Sequence, residues 1–134
     1  MIRNILAVIA GLIAGTLVNG GLIQLGHAVV ALPPGTDVSS MDGLAAAMPS
    51  FGAEHFIFPF RAHSGGTLVG ALFATLIVTS HKLEIALGLG AMFLLGGIAA
   101  VVMLPAPFWY DVVDLLFAYI PMAWIGAKLG GAGA

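Results

Sequence analysis

His27, His63 and Asp114 make up a donor set that a transition metal such as zinc, iron or manganese would accept, with Glu54 as an alternative carboxylate. His55 and His63 stand eight apart, about 12 Å along a helix, so they share an ion only if His55 folds back in a loop. Neither an HExxH nor an ExxH pattern occurs. Asp111 and Asp114, three apart, can point to one side of a helix as a paired-carboxylate device for acid–base work. Arg61 calls for a carboxylate close to hydrocarbon, and its planar fork suits bidentate pairing with Asp114 or Asp111; the same fork would clamp a substrate anion or a lipid headgroup. Glu54, Phe58 and Arg61 fall at i, i+4 and i+7, a shared face if a helix runs back through Pro59. The plainer reading gives Arg61 to a helix-locking ion pair, and gives the histidines, with Asn19 and Gln24, to hydrogen bonds at a headgroup interface.

These polar groups are scarce. The 134 residues hold six acidic and four basic side chains, 60% hydrophobic residues and no cysteine, where soluble domains carry about 25% charged residues. A membrane protein is expected. A net charge of −2 with no basic run argues against nucleic acid and against a polybasic lipid-surface patch. The missing cysteines remove disulfides, thiolate nucleophiles and cysteine-ligated clusters together. No cofactor is expected, a zinc-like ion at His27, His63 and Asp114 being the weak exception.

A bilayer core about 30 Å thick needs about 20 apolar residues per helix, and four such spans fit, at about 5–30, 59–79, 85–104 and 108–128. The expected fold is all-α: an integral membrane four-helix bundle forming a single domain, with an outer loop, 31–58, that carries a short interfacial helix. Arg3 ahead of an apolar run, and "VVA" at Val29 to Ala31, imitate a signal peptide, but a signal core runs to about 15 residues and the stretch 5–30 is long enough to span. Small residues at Ala7, Gly11 and Gly15, and again at Gly66, Gly70 and Ala74, repeat every fourth position, a spacing that lets backbones approach. Pro33, Pro34 and Gly35 break the first helix. In the loop, Ser39 and Asp42 form a capping-box-like start to a helix that Pro49 stops. Phe51, Phe56, Phe58 and Phe60 then follow as an aromatic belt would, a role that also suits Trp109, Tyr110 and Trp124. Pro121 predicts a kink in the last span.

Arg3, Lys82 and Lys128 fall on one side and Arg61 on the other, which by the positive-inside rule puts both termini in the cytoplasm. Counting back from those anchors brings Asn19, Gln24, His27, Arg61, His63, Asp111 and Asp114 into the outer third, while the inner half holds little beyond Tyr119 and scattered threonines. At "HFIFPFRAHSGGTLVGA" and "FAYIPMAWIGAKL" the chain resembles small bacterial inner-membrane proteins with four spans and no assigned activity. That resemblance implies a compartment, the bacterial inner membrane, and a fold. Three functions follow as readings. The first is a structural or accessory subunit whose glycine stripes dock on a second copy or on a larger membrane complex. The second is a small-molecule or ion transporter or binding protein that uses the outer polar cluster. The third is an interfacial metalloenzyme with His27 and His63 as ligands, Asp114 or Glu54 as base, and the loop helix as a lid. The bilayer is the expected partner throughout.

Overall fold

The computed structural model describes residues 1–133. Its described residues form helices and turns with no strand: α1 (Ile2–Val29), α2 (Met41–Ala47), α3 (Ile57–Ile77), α4 (Lys82–Met103), α5 (Phe108–Phe117) and α6 (Ile120–Leu129). Three segments are long and apolar enough to cross a membrane, namely α1, α4 and the stretch Phe108–Leu129 that contains α5 and α6. The 21-residue α3 is not among them, because Arg61, His63 and several small polar residues dilute its apolar run.

α3 is the hub, packed against α1, α4 and α6. Its seam with α1 is antiparallel and made of glycine. A Cβ added at Gly15 would lie 2.6 Å from the Gly66 carbonyl oxygen, and one at Gly66 would lie 2.7 Å from the Gly15 oxygen. Gly11 and Gly70 stand in the same reciprocal relation, at 2.6 and 2.7 Å. Only hydrogen fits between these backbones, so Cα–H groups face carbonyls directly. The other side of α3 follows the same rule, with Gly126 of α6 against the Leu68 carbonyl and Ala71. Ala71, Ala86, Ala123 and Ala127 are fully buried around this contact, and they fill the half of the molecule away from the loop.

Three of the four basic residues, Arg3, Lys82 and Lys128, gather at that alanine-packed end. Arg3 Nε donates to the Ile77 carbonyl and Lys82 Nζ donates to the Gly130 carbonyl at 2.8 Å, satisfying oxygens that helix ends leave free.

Several expectations are corrected in detail. The last span is broken rather than kinked: α5 stops at Phe117, Ala118 and Tyr119 leave the helix, and α6 restarts at Ile120 with Pro121 in its first turn. Pro121 has no N–H for the Phe117 carbonyl and its ring crowds that oxygen, so the chain turns inward at Tyr119, which is 3% exposed. In the loop, Ser40 rather than Ser39 caps α2, accepting from the Gly43 N–H at 3.0 Å. Ser39 is engaged elsewhere: its hydroxyl and its N–H both donate to Asp37 Oδ1, at 2.6 and 2.9 Å, and hold that exposed carboxyl below its ordinary pKa. α3 begins at Ile57, after a 3-10 turn at Ala53–Phe56, with Pro59 in its first turn.

The seam sets a test with a built-in control. Gly15→Leu should disrupt α1–α3 packing and lower stability by about 1–3 kcal/mol or more, since overpacked side chains cannot relax into backbone. Gly21→Leu, where an added Cβ meets nothing within 4 Å, should change it little. Denaturant-induced loss of helical circular dichroism in mild detergent measures both; equal effects would show that the seam does not limit packing.

Candidate functional site

The most connected polar group lies where α3, α5 and α6 meet. Asp114, on α5, is 3% exposed. Its carboxylate accepts from His63 Nδ1–H, which stands 2.9 and 3.0 Å from the two oxygens, and from the Tyr119 hydroxyl at 2.9 Å. The three side chains come from α3, from α5 and from the break between α5 and α6. His63 is held on α3 by the glycine seam, and the proline break turns Tyr119 inward. The Tyr119 ring also stacks on the His63 ring at a tilt of 27°, with centroids 5.8 Å apart, and its hydroxyl sits where Gly97 of α4 has no side chain. The aspartate fixes the imidazole tautomer: with Nδ1–H donating, Nε2 has no partner among the described residues and the ring remains 24% exposed.

Above this node the loop 31–58 forms a roof. Phe56, 3% exposed, packs on Tyr110 at 4.8 Å and edge-on to Trp109 at 5.9 Å, with Met48 completing the cluster. His55 ties the roof to the end of α1. Its Nδ1 accepts from the Gly52 N–H at 3.0 Å, so Nε2–H donates to the Ala31 carbonyl at 3.1 Å, and its ring stacks on Phe51. Phe58 fills the space left by Gly26 of α1. Phe56 and Tyr110 are therefore interior rather than members of an aromatic belt, because the loop folds back over the helices and buries them. Trp109 and Trp124 stay half-exposed.

Roof and helices enclose a cavity of about 240 Å³. Apolar groups such as Ile23, Val30, Leu44, Met48, Phe56 and Leu104 form most of its wall. His27, His55, His63, Tyr110, Asp111 and Asp114 supply the polar part. Tyr110 buries its hydroxyl without a hydrogen-bond partner among the described residues.

Of the residues expected at a site, the structure brings His63 and Asp114 into contact and places His27 and Asp111 on the same cavity. It separates the others. Arg61 is exposed and makes no ion pair among the described residues, so the expected Arg61 pairing with Asp114 or Asp111 is replaced by His63. The reason is helical phase: His63 is two positions further along α3, and α3 turns that face, not Arg61's, toward α5. Glu54 is an exposed loop residue beside His55, and because Glu54 lies in the 3-10 turn before α3 it shares no helical face with Arg61. Gln24 is exposed and Asn19 half-buried against Gly66, neither bonded to a histidine. His27, His63 and Asp114 do not converge on a point, and no group of three or more histidine or acidic side chains that could hold a metal ion occurs among the described residues. Tyr110 and Tyr119 were not expected at the site. The signals were local: Tyr110 is one turn before Asp114, and Tyr119 is two residues before Pro121.

Compared with protein-family models, with curated proteins and with solved structures, the chain finds no match in any of the three.

The node predicts non-additivity. His63→Ala and Asp114→Ala should each destabilise the fold, and the double variant should be less destabilised than their sum by about 0.5–3 kcal/mol. Arg61→Ala should stay within about 0.5 kcal/mol of the parent. Denaturant titration of the four proteins measures the cycle, and strict additivity would dissolve the node.

Proposed function

We propose that the chain is a four-helix membrane bundle that binds a small molecule in the cavity under its outer loop. In this reading α5 and α6 together make the fourth crossing. α3 is the third-party surface for its neighbours, and enclosure by α1, α4 and α6 accounts for its small polar residues. The clustering of Arg3, Lys82 and Lys128 at the alanine-packed end supports a cytoplasmic location for both termini and an outward-facing cavity, by the positive-inside rule. In a bacterium the membrane would be the inner one.

One observation carries the binding reading: a roofed space of about 240 Å³ with apolar walls and a few convergent polar groups. Binding is favoured over conduction because the opposite half is filled with fully buried alanines and offers no polar path. His63 gives the cavity an oriented imidazole, with Asp114 on one nitrogen and the other free to meet a ligand. The arrangement can accept or donate one hydrogen bond at a defined place.

A second reading, a structural or accessory subunit, is favoured by the saturation of Asp114 within its own chain. There the polar node locks α3 to α5 and α6, and the protein docks on a second copy or on a larger complex.

Native mass spectrometry of the protein released gently from its own membrane separates the two. A reproducible small-molecule adduct that disappears in Ala100→Trp, a substitution in the cavity wall, is the expected outcome, provided the variant keeps its helicity. Bare protein in both, or a complex with a larger subunit alone, would favour the structural reading.

A further inference from the structure

The wall of the cavity carries acidic side chains but no permanent cation. Asp111 and Asp114 line it, and no lysine or arginine does. Its other titratable groups are three histidines and Tyr110. His55 has both ring nitrogens engaged with backbone, and His63 has one nitrogen committed to Asp114. Arg61, the nearest basic residue in sequence to the site, is exposed and not part of the wall. The two carboxylates differ. Asp114 accepts two side-chain donors, whereas Asp111 has neither a hydrogen bond nor an ion pair among the described residues.

We infer that the cavity selects lipophilic monocations, molecules with an apolar body and one ammonium-type head, with Asp111 as the counter-charge. This rests on the reading of the cavity as a ligand site. An anionic head such as a phosphate or a fatty-acid carboxylate meets two carboxylates and no lysine or arginine, a like-charge contact that costs more as the surroundings become less polar. A neutral ligand leaves Asp111 desolvated and unpaired when it fills the space. A cation removes that cost. The wall also presents aromatic faces at Phe51, Phe56, Phe58 and Tyr110, which attract an alkylammonium head in addition to burying the body. An N–H on the head would further supply the partner that the Tyr110 hydroxyl lacks.

The test uses the full chain in phosphatidylcholine nanodiscs, with empty nanodiscs subtracted, and measures binding by equilibrium dialysis. Three probes of similar shape are compared: benzyltrimethylammonium, its neutral carbon isostere neopentylbenzene, and the anion benzenesulfonate. The cation should bind at least about tenfold tighter than the isostere, and the anion should show no protein-dependent binding. In Asp111→Asn, which leaves the His63, Asp114 and Tyr119 contacts in place, the ratio of cation to isostere affinity should fall toward one. Ala100→Trp should abolish binding of both, which separates the cavity from carboxylates elsewhere on the loop. An isostere that binds as tightly as the cation overturns the charge selection but leaves the cavity reading standing. An unchanged ratio in Asp111→Asn overturns the assignment of the counter-charge, and no protein-dependent binding of any probe overturns both the inference and the binding reading.

Discussion

Backbone contact between α1 and α3 is the constraint on which the remaining structure depends. Where Gly11 and Gly15 meet Gly70 and Gly66, each helix occupies the space a side chain would need on the other. In a membrane, helices gain little from hiding apolar surface, because lipid is as apolar as leucine, so the contact that holds them must come from close packing. That fixes the distance and the rotation of α3. Once α3 is set, His63 faces α5 and Arg61 does not, Gly126 finds the α3 backbone, and the alanines around Ala71 close the half away from the loop. The polar site is a consequence of where small residues allow backbones to touch.

Charge and aromatic residues work within that frame. Asp114 would be costly in an apolar interior without donors, and His63 of α3 and Tyr119 of the break after α5 provide them. The outcome is a node that is polar inside and silent outside. The roof is built differently, from aromatic packing on Tyr110 and from one histidine tether to the end of α1. The cavity lies between a part held by hydrogen bonds and a part held by ring contacts.

The sequence made much of this legible, for reasons that can be stated. Long apolar runs bounded by prolines and charges marked α1, α4 and the last span, and the four-residue spacing of small residues marked the faces that pack. What stayed hidden depended on rotation and on a single backbone break. Arg61 and His63 are two positions apart, and which of them meets Asp114 is decided by the phase of α3, which hydropathy does not report. Pro121 announced a disturbance, but whether a proline bends a helix or ends it depends on what the chain packs against, and only the break brings Tyr119 to Asp114. The roof was hidden for a third reason: Phe51, Phe56 and Phe58 read equally well as lipid-facing rings or as a folded-back cover.

The hydrogen bond from Tyr119 to Asp114 joins the two sides of the break between α5 and α6. It therefore acts as a strut across an elbow. α6 is anchored in the alanine-packed half through Ala123 and Gly126, while α5 carries Tyr110, Asp111 and Asp114 to the cavity. One phenol and one carboxylate, five residues apart in the chain, thus couple the placement of the cavity wall to the packing of α6, which Gly126 sets against the α3 backbone.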